Sequence, residues 1–189
     1  MDVAFAFSHQ STAGSWLAPV DSIYDAGTFT IVTYDTIHGS WADYYDHTTG
    51  DSSGRYMIVN GSDANIGAAW MQTVAVEPNT DYDLSGWFSS LHASSVAHLE
   101  WRLVGDSSTI LSPSFVAPAS TGVWSERTFT FNSGSNMSIS LQLWDTSGVS
   151  SGNDYGVDDI SMDRTVPAPG PLAMLVGGAC LGARQRRRT

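Results

Sequence analysis

The adjacent acids Asp158-Asp159 are the sharpest chemical feature of this 189-residue chain. In a strand over 155–162, alternation puts Asp158 on the side of Ile160 and Met162, and Asp159 on the side of Tyr155 and Val157. Both sides carry apolar residues, so at least one carboxylate is expected to be partly buried. A buried charge needs a partner, and a set of oxygen ligands favours Ca²⁺. The other reading is a pair of acids at a strand end, solvated or hydrogen-bonded to turn amides.

Aromatic residues come next, with seven Trp and seven Tyr. Sugar sites stack aromatic faces on pyranose rings and use polar groups to orient hydroxyls. Trp87 and Trp144 fall opposite the apolar positions of their strands, and Trp41, Tyr44 and Tyr45 fall in a loop. These five form the candidate ligand-binding set, whereas Trp70, Trp101 and Trp124 are expected in the core or under loops. The five His show no His-Glu-x-x-His spacing, and His47 is expected to hydrogen-bond turn backbone. There is no Gly-x-Ser-x-Gly elbow. The single Cys, Cys180, excludes an intramolecular disulfide and a Cys-based metal site. Glycoside hydrolysis needs two carboxylates across a cleft. Of Glu77, Glu100 and Glu126, Glu77 precedes Pro78 in a hairpin-like turn and is a poor acid, Glu100 faces away from Leu99 and Trp101 and stays open as one, and a non-catalytic role is expected.

The elements that must position these residues read as strands. Short β-rich runs punctuated by Gly, Ser, Asn, Asp and Pro fall at 3–8, 28–34, 55–60, 69–76, 82–89, 96–104, 109–116, 123–131, 137–144 and 155–162. Ala97, Leu99, Trp101 and Leu103 alternate with His98, Glu100 and Arg102, and Met137, Ile139, Leu141 and Leu143 alternate with Ser138, Ser140 and Gln142. Such patterning marks antiparallel strands with one buried face, and their number favours an all-β antiparallel sandwich of jelly-roll type. The charge is partitioned. All eight basic residues are Arg, and the body through Arg164 holds four of them against all nineteen acids, a net −15. So acidic a body excludes nucleic acid as a default partner. Residues 166–189 reverse the sign. They run from a Pro-rich hinge through the apolar Leu172–Ala183, expected as a short hydrophobic helix, to Arg184, Arg186, Arg187 and Arg188. As a helix, 172–183 would span roughly 18 Å, too short for a permanent anchor, and the Arg cluster would hold its far end cytoplasmic.

This tail resembles the PEP-CTERM sorting signal. Val166-Pro167-Ala168-Pro169-Gly170 stands at the family's Pro-Glu-Pro position, with Ala168 in place of Glu. The resemblance implies export, transient membrane insertion of the tail, removal by an exosortase and a final place at the cell surface or outside the cell. Such proteins normally carry a signal peptide, and Met1–His9 reads as none, so a gene start displaced downstream is expected. The body resembles the galactose-binding-like jelly rolls, which include carbohydrate-binding modules of the family 4/9 type. The segments that carry this are DHTTGDSSGRYMIVNG at 46–61, WMQTVAV at 70–76 with the run to Trp87, and GNDYGVDDISM at 152–162. It implies polysaccharide as a partner and a structural Ca²⁺ held by a final-strand carboxylate. Asp46 and Asp51 are then further candidate ligands beside Asp158 and Asp159. The expected organisation is a domain over 1–164 and a sorting tail over 165–189.

Overall fold

The computed structural model describes residues 23–34, 38–63, 67–106, 108–149 and 151–165, with two short strands at 3–4 and 15–16. The sorting motif Val166–Gly170, the apolar run and the Arg cluster lie outside the described residues. Among the described residues there are twelve strands: β1 (Val3–Ala4), β2 (Ser15–Trp16), β3 (Thr28–Val32), β4 (Tyr56–Asn60), β5 (Ala68–Ala75), β6 (Asp81–Ser90), β7 (His98–Val104), β8 (Thr109–Leu111), β9 (Ser114–Val116), β10 (Ser125–Asn132), β11 (Ser138–Asp145) and β12 (Tyr155–Arg164). They form two sheets. The larger has seven strands in the order β10-β6-β12-β4-β3-β2, with β1 beside β12; the smaller has five, β5-β11-β7-β8, with β9 also on β7. All pairs are antiparallel except β2 with β3. The chain is a β-sandwich of jelly-roll type. The run expected over 109–116 is two strands, because Pro113 offers no N–H to a ladder.

The sheets face each other through the residues that alternation selected. Leu99, Trp101 and Leu103 of β7, Ile139, Leu141 and Leu143 of β11, and Leu84 and Phe88 of β6 are fully buried in one cluster. Met137 departs from its expected place, for it precedes β11 and is 71% exposed.

Strand β12 departs from simple alternation. Asp158 pairs with Trp87 and Ser161 with Ser85, so Asp159 and Ile160 together stand opposite Gly86. This β-bulge carries Asp159 at φ +46°. It resets the phase, so that Tyr155 and Val157 before it and Ile160 and Met162 after it all enter the core. The expectation that Asp158 shares a side with Ile160, and Asp159 with Val157, is therefore corrected. Asp158 and Asp159 both reach the loop that covers the outer face.

That outer face of the larger sheet has a core of its own. Ile23, Trp41, Tyr56, Ile58 and Leu91 are buried together, with Val32, Tyr44 and Trp124 against them. Residues 38–49 lie across β4, β12 and β6, and Ala42 N–H donates to Leu91 O at 2.9 Å. The Tyr44 hydroxyl is bonded to Ser89 Oγ, and the Tyr44 ring passes over Gly156. A Cβ at Gly156 would lie 2.7 Å from Ser89 Oγ, 2.8 Å from Tyr44 Oη and 3.1 Å from Trp124. Gly156→Ala is expected to cost about 1–3 kcal/mol, as overpacking does, in urea unfolding followed by Trp fluorescence. Gly39→Ala, where nothing lies within 4 Å, is the neutral comparison. Equal stability of the two variants would contradict this packing.

Candidate functional site

Two surfaces carry the candidate residues, one on each side of the sandwich. The first is the acidic corner where β12 meets the loop at 46–54. Asp158 is 3% exposed, accepting from His47 N–H at 2.8 Å and Asp159 N–H at 3.0 Å. Asp159 accepts from His47 Nδ1 at 2.8 Å and from the Thr48 hydroxyl. Asp46, also 3% exposed, accepts from Thr49 N–H at 2.9 Å and Thr49 Oγ1 at 2.8 Å. Its carboxyl occupies the space that a Cβ on Gly54 would fill, which is why this turn requires glycine there. His47 therefore bonds a carboxylate with its ring instead of turn backbone. The ring also lies flat on Trp87, with centroids 3.5 Å apart and planes 14° apart.

Burial, with Asp159 and Asp46 as charged neighbours, pushes the Asp158 carboxyl up to about 6, against the bonds from His47 and Asp159 N–H. Asp51 adjoins this group through Thr49, whose side chain also interacts with its carboxyl. It is exposed, and its Oδ1 accepts from Ser53 N–H at 2.8 Å and Ser53 Oγ at 2.6 Å. The bonds to Ser53 hold its carboxyl below the usual range. Among the described residues no group of three or more His, Cys, Asp or Glu side chains is arranged to hold a metal ion. Asp46, Asp158 and Asp159 have the oxygen chemistry of a hard-cation site, while their oxygens are engaged with N–H and O–H donors.

The aromatic set is divided. Trp41 is 7% exposed, its indole N–H donates to Asp154 Oδ2 at 2.9 Å, and its ring stacks on His38 at 4.4 Å. It is a core residue under the loop and offers no free face, a correction to its place in the contact set. Tyr44 belongs to the same cluster. Tyr45 is 38% exposed and packs on Tyr34 at 4.6 Å. Trp87 is half-buried beneath His47. Trp144 lies on the other sheet, so the five do not form one site.

Trp144 belongs to the second surface, the outer face of the smaller sheet. There β11 presents Ser140, Gln142 and Trp144 beside Glu100 and Arg102 of β7, with Gln142 paired to Arg102 and Trp144 to Glu100. The Arg102 guanidinium sits 4.0 Å from the Trp144 ring centroid, a cation–π contact. Trp144 Nε1 donates to Gln142 Oε1 at 3.0 Å, and Gln142 Nε2 to Ser140 Oγ at 3.2 Å. Arg102 Nε donates to Glu100 Oε1 at 2.6 Å, and Ser112 Oγ donates to the same oxygen. The Arg102 bond is the main reason that the Glu100 carboxyl is held below its usual range. The result is an aromatic ring with a row of amide, guanidinium and carboxylate along two adjacent strands. Alternation pointed to Trp144 here, but Gln142 and Arg102 escaped the sequence reading because polar residues on a strand are normally solvated. The available signal was their facing register with Trp144 and Glu100.

No family model matches the chain, and no curated protein matches it. Several solved structures do. A Stig cyclase, Fisc, from Fischerella sp. TAU in complex with (3Z)-3-(1-methyl-2-pyrrolidinylidene)-3H-indole is similar at a TM-score of 0.54 and 11% identity, over 73% of this chain and 75% of that one. A CBM4 structure is similar at 0.47 and 12%, over 72% and 86% respectively. The CBM22-1 xylan-binding domain of Xyn10C from Paenibacillus barcinonensis is similar at 0.46 and 13%, over 78% and 92%. Likeness at such identities concerns the fold alone.

The acidic corner predicts a pH response. An unfolded Asp titrates at about 3.9, so a group raised to about 6 binds its proton more tightly in the folded state. That contribution grows as pH falls through about 6 and is complete below the unfolded value. Burial raises Asp145 and Asp154 in the same direction, whereas it lowers His38, which acts oppositely. In EDTA, the melting temperature is expected to rise from pH 7.5 to pH 5, and Asp158→Asn is expected to shrink that rise. An equal rise in the variant would remove Asp158 as its source.

Proposed function

We propose that the chain is an exported, non-catalytic surface or matrix protein that binds polysaccharide on the outer face of its smaller sheet. The observation that carries this reading is the row Trp144, Gln142, Arg102 and Glu100. A ring face supplies the apolar contact that a pyranose needs, and the neighbouring amide and guanidinium offer donors for its hydroxyls. A strand pair repeats its side chains along its length, so it suits a segment within a chain of sugars. The body's net −15 disfavours polyanionic glycans, so the ligand is a neutral polysaccharide. Glu100 is a poor general acid, because a carboxyl held low by Arg102 is ionised at the pH where it would have to donate a proton. The tail resemblance supports export and exosortase processing.

A structural Ca²⁺ at the acidic corner is part of the same proposal. Asp46, Asp158 and Asp159 would hold it, and it would offset the burial, and the lesser repulsion from Asp159 and Asp46, that raise Asp158. Its chemistry would be positional, fixing the 46–49 loop on β12. Added Ca²⁺ is then expected to raise the melting temperature over that in EDTA at pH 7.5, and Asp158→Asn to abolish the difference. No shift with the wild-type chain would remove the ion from the proposal.

Glycan binding is checked on an array of neutral polysaccharides and by affinity electrophoresis on any that bind. Trp144→Ala and Arg102→Ala are each expected to weaken binding by about tenfold or more, the effect of losing a central contact residue, with Trp87→Ala close to wild type. Binding that survives Trp144→Ala unchanged would place the ligand elsewhere.

A further inference from the structure

A polar pocket lies apart from both surfaces, at the end of the sandwich where residues 38–40, the turn after β6 and the approach to β12 meet. Its volume is about 150 Å³, and its lining includes Tyr24, His38, Ser40, Asn60, His92 and Asp154. Backbone bonds tie its walls together, from Leu91 N–H to Asp154 O at 3.0 Å and from Ala42 N–H to Leu91 O at 2.9 Å. Gly152, also in the lining, has φ +84°, and a Cβ there would run into Ser94 Oγ. The pocket is thus closed on that side by a contact that only glycine allows.

The chemistry of the pocket is set by two matching turns. His38 Nδ1 accepts from Ser40 N–H at 3.4 Å and is 3.0 Å from Ser40 Oγ. His92 Nδ1 accepts from Ser94 N–H at 3.1 Å and is 2.8 Å from Ser94 Oγ. A backbone N–H can only donate, so each neutral ring carries its proton on Nε2. Asp154 lines the same pocket, 5% exposed, with Gly61 N–H on Oδ1 at 3.1 Å and the Trp41 indole N–H on Oδ2 at 2.9 Å. One such bond per oxygen leaves acceptor capacity on both. Tyr24 is 66% exposed, and its ring leans on His38 at 4.6 Å, giving the rim an aromatic face.

We propose that this pocket binds one neutral sugar residue, a free pyranose or the end of a chain, through adjacent hydroxyls. Asp154 accepts from the diol, the imidazole N–H groups donate to hydroxyl oxygens, and Tyr24 covers the apolar face of the ring. An anion would meet the Asp154 carboxylate, and a cation would meet the imidazole N–H groups. A polyhydroxyl ligand supplies both donors and acceptors. An apolar cavity of roughly this size admits a single six-membered ring, so one sugar residue fits inside it and two do not. The inference is independent of the sheet-face reading, since the two surfaces share no residue.

The test is a titration of the full ¹⁵N-labelled chain with D-glucose, D-galactose and D-mannose at millimolar concentrations. At least one is expected to give saturable shifts at the Gly61 amide and the Trp41 indole N–H, the two groups bonded to Asp154. His92→Ala and Tyr24→Ala, on half-exposed and exposed residues, are expected to weaken binding by roughly tenfold, the scale of one lost hydrogen bond or ring contact. Trp144→Ala is expected to leave it unchanged. Silence with all three sugars, shifts confined to Gln142 and Trp144, or binding that survives both pocket variants would each overturn the proposal. Polysaccharide binding at Trp144 would stand in each of those cases.

Discussion

Carboxylates of β12 and of the residue just before it fasten a loop to the sheet, and much of the rest depends on that attachment. Asp154 holds Trp41 and the Gly61 amide, and Asp158 and Asp159 hold His47 and Thr48. Residues 41–48 are therefore pinned at one end to the approach to β12 and at the other to β12 itself. Between the pins, Trp41 and Tyr44 cover Tyr56, Ile58 and Leu91. Without the attachment, that apolar surface would face water, a loss of roughly 1.5–3 kcal/mol for each large side chain exposed. The carboxylates of Asp154 and Asp158 carry a cost, since both are buried and burial raises their pKa. Backbone N–H donors offset part of that cost, as paired buried polar groups must be.

This arrangement explains what could be read from the residues and what could not. Strand β7 was fully legible, because Ala97, Leu99, Trp101 and Leu103 are all buried and one face of the strand is open. Strand β12 was legible as a strand but not in phase. A bulge inserts one residue, and a one-residue shift exchanges the faces of everything beyond it. Nothing in the run Tyr155–Met162 marks where the extra residue stands except the two acids themselves. Trp41 was misplaced for a related reason. A loop residue is ordinarily exposed, and the loop here is drawn down onto a face of the sheet that alternation alone treats as solvated. Tyr56 and Ile58 on β4 carried the clue, since with Met57 and Val59 they make a strand that is apolar on both sides.

The two His-x-Ser turns were present in the sequence as His38-Gly39-Ser40 and His92-Ala93-Ser94. Their meaning comes from tertiary structure. The chain brings segments more than fifty positions apart to the same carboxylate, as the influence of both rings on Asp154 reflects. Spacing reveals metal sites built within one helix or one hairpin; it is silent on groups assembled from three separate turns.

The two faces of the sandwich have opposite economies of charge. On the larger sheet Asp158 and Asp159 hold backbone and side-chain donors of the covering loop. On the smaller sheet the one guanidinium of the β7–β11 face lies over Trp144 and binds Glu100. Its pairing with Glu100 neutralises both charges, while its guanidinium covers one face of the Trp144 ring. A sheet face that is aromatic, hydrogen-bonding and locally neutral favours an uncharged chain. The acidic surroundings act in the same sense, because a polyanion would be repelled before reaching it. Local pairing and the net charge of the body thus both support the neutral ligand proposed for this face.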